Sequence, residues 1–174
     1  GQLNAINRLQ GVIEFDLTGK ILKVNDNFAN VTGYSEKEIV GNNHSMFVDA
    51  AYKSSSEYKA FWEKLGRGEA DEGIYKRIGK GGKEVWLQAT YNPIFGVDGK
   101  PFKVVKYATD VTKFKLVEMD NAGQLAAISK IQGVIEFDLK GNITAVNDNF
   151  AAVTGYSEKE IVGNHHSMFV EPSY

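Results

Sequence analysis

The chain has 174 residues, of which 43% are hydrophobic and 24% are charged, as in a globular protein with a core of its own. Twenty Lys and Arg residues face 22 Asp and Glu residues, and this net charge of −2 argues against a dedicated nucleic-acid-binding protein. The chain has no cysteine, so disulfides, thiolate metal sites and cysteine nucleophiles are excluded.

Apolar residues are spread along the chain without a long uninterrupted run. No stretch approaches the roughly 18 consecutive apolar residues that a membrane-spanning helix needs. No charged segment followed by an apolar one opens the chain, as a secretion leader would. We therefore expect a soluble, cytoplasmic chain without a membrane span.

The first 50 residues predict two short strands followed by two short helices. Strands are predicted over residues 12–17 and 20–24, on either side of a Thr-Gly pair that favours a turn. Asn25 is suited to cap a helix that ends at Gly33. The Ser-Glu-Lys-Glu sequence of residues 35–38 is a capping box that opens a second helix.

A longer helix and three strands are predicted next. Ser54 and Glu57 form another capping box, and the apolar residues that follow have helical spacing: Tyr58, Phe61, Trp62 and Leu65. Strands are predicted over residues 74–78, 84–95 and 102–109, with glycine-rich turns between them. This order of elements predicts an α+β unit in which short helices cover one face of a five-stranded antiparallel sheet.

The chain contains an internal repeat, because residues 1–52 recur at residues 123–174 with 39 of 52 positions identical. The segment between the repeats and the start of the chain both show helical spacing of apolar residues. We therefore predict an N-terminal amphipathic helix, a complete unit, a helical linker and the N-terminal half of a second unit, over residues 1–10, 11–112, 113–132 and 133–174.

Three motifs in residues 11–112 resemble the PAS domain family. They are the opening G-V-I-E-F-D-L-T-G-K-I-L-K-V-N-D, the N-x-x-F-x-x-x-T-G-Y run that ends at Tyr34, and the final D-V-T. The N-H-S-M-F-V and K-R-I-G-K-G-G-K-E-V-W-L segments resemble tandem PAS sensors of bacterial methyl-accepting chemotaxis transducers, including energy-taxis and biofilm-dispersal types. The resemblance implies a sensory function, a downstream chemotaxis signalling domain as partner, and a signal relay through Asp110, Val111 and Thr112.

His44 is the candidate cofactor ligand. The resemblance places it where flavin-binding photosensors of the family carry their adduct-forming cysteine, so adduct chemistry is excluded here. Its imidazole is a candidate ligand for the iron of haem b, as in haem-binding PAS sensors. The alternative is a histidine that caps or hydrogen-bonds a short helix. His165 or His166 would have the same role in the second unit, but only once that unit is complete.

A flat ligand such as FAD, less favoured here than haem, would need aromatic walls. Trp62 lies on the apolar stripe of its helix, which core packing explains better, and Trp86 faces either the cavity or the amphipathic helix. Asn27, Tyr91 and Asn92 are candidate polar contacts in a mostly apolar pocket, although a helix cap and strand positions explain them equally well.

Motifs for catalysis are lacking. The chain has no H-E-x-x-H or Walker sequence, and the G-K-G-G-K of residues 79–83 has the position of a hairpin turn. We therefore expect a protein that is not an enzyme.

Two functions remain open. In the first, an unidentified ligand shifts the packing of the unit, and residues 110–112 relay the change to the linker helix. In the second, the unit is ligand-free and dimerises the receptor. Either is compatible with a homodimer or higher oligomer through the amphipathic helices. The half unit also predicts a swapped assembly, in which it pairs with strands of another copy.

Overall fold

The computed structural model of the chain describes residues 10–171. The predicted helix over residues 1–10 therefore lies outside the described residues, apart from Gln10. The chain divides into two compact units, one ending at Lys115 and the other beginning at Leu116. The division lies within the predicted linker.

The first unit contains the five-stranded antiparallel sheet that the sequence predicts. Its strands lie in the order β2-β1-β5-β4-β3, so β1 and β5 join the N-terminal hairpin to the C-terminal three strands. The strands are β1 (Gly11–Phe15), β2 (Ile21–Val24), β3 (Asp71–Ile78), β4 (Glu84–Phe95) and β5 (Pro101–Asp110). Strand β3 begins earlier than predicted because Asp71 already pairs with Tyr91 of β4.

Short helical segments connect β2 to β3. They are α1 (Asp26–Thr32), α2 (Glu36–Ile39), a 3₁₀ turn (His44–Phe47), α3 (Ala50–Lys53) and α4 (Ser56–Gly66). The Asn25 side chain caps α1 by accepting a hydrogen bond from the Phe28 amide at 3.0 Å, and Gly33 ends it with a positive φ of 77°. The predicted capping box of Ser35 and Glu38 opens α2.

The cap of α4 differs from the prediction by one residue. The Ser55 hydroxyl accepts a hydrogen bond from the Tyr58 amide at 3.1 Å, so Ser55 is the N-cap. The Ser54 hydroxyl instead donates to the carbonyl oxygen of Ala50 at 3.0 Å, because Ser54 ends the preceding helix α3. The sequence pattern does not reveal this extra helix, so it predicts the wrong serine as the cap of α4.

The hydrophobic core lies between the helices and one face of the sheet. The sheet contributes Ile13, Phe15, Val85, Leu87 and Val104, and the helices contribute Phe28, Ile39, Phe47, Phe61 and Leu65. Alternation along each strand directs every second side chain into this layer. The α+β architecture with helices on one face is thus confirmed.

Helix α5 (Thr112–Ile131) follows β5, and its large apolar residues are exposed, among them Phe114, Leu125, Ile128 and Ile131. The second unit repeats the N-terminal elements of the first, with β6 (Ile135–Phe137) paired to β7 (Ile143–Val146), then α6 (Asp148–Thr154), α7 (Glu158–Ile161) and a 3₁₀ turn (His166–Phe169). Across residues 10–171, no helix combines the length and apolar character needed to cross a membrane.

Candidate functional site

His44 lies at the centre of the polar interior of the first unit. It begins the 3₁₀ turn that the Asn43 side chain caps, and its side chain is directed between the helices and the sheet. Only 1% of its surface is exposed. Its Nδ1 lies 3.0 Å from the Tyr58 hydroxyl and its Nε2 lies 3.1 Å from the Tyr91 hydroxyl. Both ring nitrogens therefore have hydrogen-bond partners.

Tyr91 links His44 to Arg77. The Arg77 Nη2 donates a hydrogen bond to the Tyr91 hydroxyl at 3.1 Å, and its Nη1 donates to the carbonyl oxygen of Lys76 at 2.7 Å. Because the Tyr91 oxygen accepts from Arg77, its single hydrogen is available for His44 Nε2. In the tautomer that uses this hydrogen, the imidazole hydrogen lies on Nδ1 and is donated to the Tyr58 hydroxyl.

Burial determines the charge of this histidine. Burial, together with the nearby charges of Arg77 and Lys106, lowers the pKa of His44 well below 6.5. The imidazole is therefore neutral at physiological pH. Burial also raises the pKa of the Tyr91 hydroxyl, despite the opposing effect of Arg77. The histidine and the tyrosine thus form a neutral hydrogen-bonded pair next to a fixed guanidinium.

Lys106 is a second cation in the same interior. It lies on the inner face of β5, opposite Tyr91 of β4, and is 1% exposed. Its Nζ lies 4.7 Å from the centre of the Tyr91 ring and 5.4 Å from that of Phe28. Burial, and then the charge of Arg77, lower the pKa of Lys106 well below its usual value. Within the described part of the chain, neither Lys106 nor Arg77 has an ion-pair partner.

Sequence reasoning missed both interior cations. The available signal was strand alternation, because Lys106 falls between Val104 and Ala108 on a face that the pattern buries. Arg77 similarly shares the inner face of β3 with Tyr75, and its Cζ lies 4.8 Å from the centre of that ring.

The residues predicted as ligand contacts do not all come together. Tyr91 and His44 are in contact, whereas Trp86 and Asn92 lie on the opposite face of β4. Asn92 donates hydrogen bonds to the Thr90 hydroxyl and the Val105 carbonyl oxygen. Asn27 lies in α1, where its side chain donates to the Gln10 carbonyl oxygen at 3.3 Å. The five residues are therefore divided among three places in the unit.

The two tryptophans lie on opposite sides of the sheet. The Trp62 ring centre on α4 lies 5.4 Å from that of His44, so Trp62 belongs to the interior. Trp86 lies on the outer face, where Lys115 Nζ is 5.6 Å from the centre of its ring. The sequence leaves Trp86 facing either the cavity or the amphipathic helix, and in the structure it lies beside the helix. One flat ligand such as FAD cannot contact both tryptophans.

This arrangement does not fit His44 as a ligand of haem iron. Iron ligation requires a ring nitrogen, and both nitrogens are bonded to tyrosines. Six aromatic ring centres lie within 6.4 Å of the imidazole, which leaves no room for a porphyrin: those of Phe15, Phe47, Tyr58, Phe61, Trp62 and Tyr91. Nowhere in residues 10–171 do three His, Cys, Asp or Glu side chains cluster as metal ligands.

The second-unit histidines have different surroundings. His166 occupies the position equivalent to His44, but it is exposed, and its ring centre lies 5.9 Å from that of Phe137. His165 replaces the capping Asn43, and its Nδ1 accepts a hydrogen bond from the Ser167 amide at 3.2 Å. In the described part of the second unit, neither histidine has the two-tyrosine arrangement of His44.

Asp110, Val111 and Thr112 attach α5 to β4. The Asp110 carboxylate accepts hydrogen bonds from the Thr112 amide at 2.9 Å and from its hydroxyl at 2.5 Å. The Thr112 hydroxyl oxygen accepts from the Trp86 amide at 2.9 Å, and the Val111 amide donates to the Trp86 carbonyl oxygen at 2.9 Å. The start of α5 is therefore bonded to the strand that carries Tyr91 on its inner face.

An open recess of about 520 Å³ lies on the surface of the first unit, next to the interior cluster. It lies between the β1–β2 turn, through Leu17 and Thr18, and helix α4, through Tyr58 and Trp62. Tyr58 and Trp62 also contact His44, so they separate the recess from the polar interior. A groove of about 650 Å³ on the outer face of the sheet includes none of the predicted ligand contacts.

Comparison with known proteins agrees with this architecture. Residues 21–108, half of the chain, match the family described as PAS fold, and residues 132–174 match the family described as PAS domain. The chain belongs to the PAS family. The structure of a PAS domain from Colwellia psychrerythraea covers 64% of this chain and 95% of its own, with a TM-score of 0.56 and 19% identity, which shows the shared fold.

Two curated relatives place the chain among PAS sensory modules. It is 43% identical over 170 residues to the biofilm dispersion protein BdlA of Pseudomonas aeruginosa, covering 98% of this chain and 41% of the relative. It is 33% identical over 79 residues to the aerotaxis receptor of Escherichia coli, covering 45% of this chain and 15% of the relative. The chain thus spans less than half the length of either, and it is a PAS sensory module related to chemotaxis-type transducers.

Proposed function

We propose that this chain is a cytoplasmic sensory module of a chemotaxis-type transducer. It binds a small molecule in the first unit between the helices and the sheet, and it relays the resulting change through Asp110, Val111 and Thr112 to helix α5. A signalling domain elsewhere in the transducer is the partner that receives this change. The relationship to a biofilm dispersion protein and an aerotaxis receptor supports this class of function.

The observation that carries the proposal is the polar cluster of the interior. His44, Tyr91 and Arg77 form a hydrogen-bonded chain, and Lys106 lies beside it. All four side chains are buried in the core, where apolar side chains are usual. Buried polar groups are costly unless they are satisfied, and such groups often mark binding sites. Their convergence from three strands and a 3₁₀ turn supports a role in binding a ligand.

Strand β4 connects this interior to the output helix. Its inner face carries Tyr91, and its Trp86 backbone bonds to Val111 and Thr112 at the start of α5. A ligand that binds one arrangement of Tyr91 more tightly than another shifts β4 between two positions. The start of α5 follows, because its bonds to Trp86 must move with the strand.

Removal of the bound molecule tests this function. The chain purified under native conditions is compared with chain that has been unfolded in urea, washed and refolded. Spin labels are attached to cysteines introduced at the exposed positions Lys100 and Lys130. Labelling is specific to these two positions, because the chain has no cysteine of its own. We expect a released small molecule, a lower unfolding midpoint after stripping, and a changed distance between the labels.

The Thr112→Ala variant separates binding from relay. It retains the bound molecule but shows no change in label distance on stripping, because the bond from the Trp86 amide is lost. Thr112→Ser keeps that hydroxyl and restores the change. If no molecule is released and native and refolded chains behave identically, the ligand-binding function is contradicted.

Exposed apolar residues on α5 favour a second function, dimerisation without a ligand. Leu125, Ile128 and Ile131 are exposed at helical spacing, and the partner they fit is the same helix of a second copy. Light scattering is expected to give a mass above the 19.2 kDa of one chain. The double variant Leu125→Gln and Ile128→Gln is expected to have the mass of a monomer, whereas Lys130→Gln is expected to keep the mass of the wild-type assembly. A wild-type monomer would contradict both this dimer and the swapped assembly.

A further inference from the structure

We propose that Arg77, Tyr91 and Lys106 form a binding site for a small organic carboxylate in the interior of the first unit. The inference depends on the function proposed above and names the chemical class of its ligand. Arg77 comes from β3 and Lys106 from β5, and Tyr91 lies on β4 between those strands. Tyr91 contacts both cations, through its hydroxyl and through its ring.

Lys106 is buried without a group that balances its charge. Its Nζ lies over the rings of Phe28 and Tyr91. No acidic side chain in residues 10–171 forms an ion pair with it. Cation–π contacts offset only part of the cost of removing an ammonium group from water. A carboxylate beside Nζ supplies the opposite charge that this position lacks.

Arg77 has a donor that is free to bind such a group. Its two terminal nitrogens donate to Lys76 and Tyr91, but its buried Nε has no acceptor among the described residues. A guanidinium presents Nε and a terminal nitrogen along one edge, which matches the two oxygens of a carboxylate. The residue is 4% exposed, so this donor lies in the interior and not at the surface.

The surroundings favour a carboxylate on an apolar body. The rings of Phe15, Phe28 and Phe61 pack around Tyr91 and Lys106, so a ligand that enters by displacing these side chains would have an apolar surface to contact. The unpaired Nε of Arg77, together with the lack of a counter-charge for Lys106, favours a ligand that supplies acceptors and a negative charge.

Benzoate is a suitable probe, because it joins a carboxylate to a flat apolar ring. Calorimetric titration of the full chain compares it with neutral benzamide and with inorganic phosphate, which lacks an apolar body. We expect benzoate to bind at least tenfold more tightly than either. Mass spectrometry of molecules released from natively purified chain should likewise detect an organic acid.

Substitution of the lysine tests the site itself. Lys106→Met is expected to weaken benzoate binding at least tenfold and to raise the urea midpoint of the ligand-free chain, because it replaces a buried amino group, whose charged form burial disfavours, with an apolar side chain. A lysine with only a structural role would show the opposite change in midpoint. Lys103→Met, on the same strand but paired with Glu14 at 2.7 Å, keeps the wild-type affinity. Arg77→Gln is a second variant that should lose binding.

The outcomes distinguish this inference from the function on which it rests. Equal binding of benzamide and benzoate, or wild-type affinity in both Lys106→Met and Arg77→Gln, would overturn the carboxylate site while leaving ligand binding intact. Tighter binding of inorganic phosphate would overturn the carboxylate as the ligand class. If no probe binds and no molecule is released, both proposals fail.

Discussion

His44 is neutral because its ring is enclosed, and this has a consequence for stability. Burial, followed by the charges of Arg77 and Lys106, lowers the pKa of His44 well below 6.5 in the folded chain. Below that pH the unfolded chain takes up a proton that the folded chain does not. Folding stability therefore decreases as the pH falls from 6.5 toward the folded-state pKa, by up to about 1.4 kcal/mol per pH unit.

Urea unfolding between about pH 7 and pH 5 measures this decline, since histidine is the side chain that ordinarily titrates there. We expect His44→Gln to remove most of it, because glutamine does not titrate, even though the variant is less stable at neutral pH. His166→Gln, at the exposed equivalent position, should keep the wild-type decline. An unchanged decline in His44→Gln would show that the buried imidazole is not its source.

At the residue scale, the sequence predicts which face of a strand a side chain lies on better than it predicts which residues that side chain contacts. Strand alternation places Tyr91 on the opposite face of β4 from Trp86 and Asn92, so the prediction that these three residues contact one ligand conflicts with the strand pattern itself. It does not reveal that Arg77 reaches Tyr91, because that contact depends on the extended path of a long side chain across the sheet. The two hydroxyls that bind His44 come from distant α4 and β4, beyond the reach of local patterns.

The start of α4 gives a prediction at the scale of elements. Ser55→Ala should lower the free energy of unfolding by about 1 kcal/mol, because the Tyr58 amide loses its capping oxygen. Ser54→Ala is the matched control and should have a smaller effect, since the hydroxyl of Ser54 only donates back to α3. Chemical denaturation measures both. A larger loss in Ser54→Ala would support the sequence-derived cap over the one in the structure.

Local signals explain why most elements are predictable. Asn25 and Ser35 cap the helices that the sequence assigns to them, and Asn147 and Ser157 repeat these caps in the second unit. Helix α3 escapes prediction because it is a single turn with no buried residue, so no apolar spacing indicates it. Pairing across the sheet extends β3 to Asp71, which a single-strand pattern does not reveal.

At the scale of the whole molecule, two related sequences have different interiors. The repeat preserves the turn that carries His44 and His166, but Tyr58, Arg77, Tyr91 and Lys106 all follow the repeated segment. The candidate ligand site of the first unit is therefore built largely from residues without a counterpart in the described second unit. Sequence identity places His166 at the position of His44, and the structure shows that the surroundings of the two side chains differ.

The central claim is that occupation of this interior changes the attachment of α5 to β4. Hydrogen–deuterium exchange of the full chain, with and without saturating benzoate, tests it most directly. We expect benzoate to slow exchange at two amides. They are the Trp86 amide, which donates to the Thr112 hydroxyl, and the Val111 amide, which donates to the Trp86 carbonyl oxygen. Thr112→Ala should bind benzoate without protecting the Trp86 amide. Benzoate that binds the wild-type chain but leaves exchange at both amides unchanged would contradict the account.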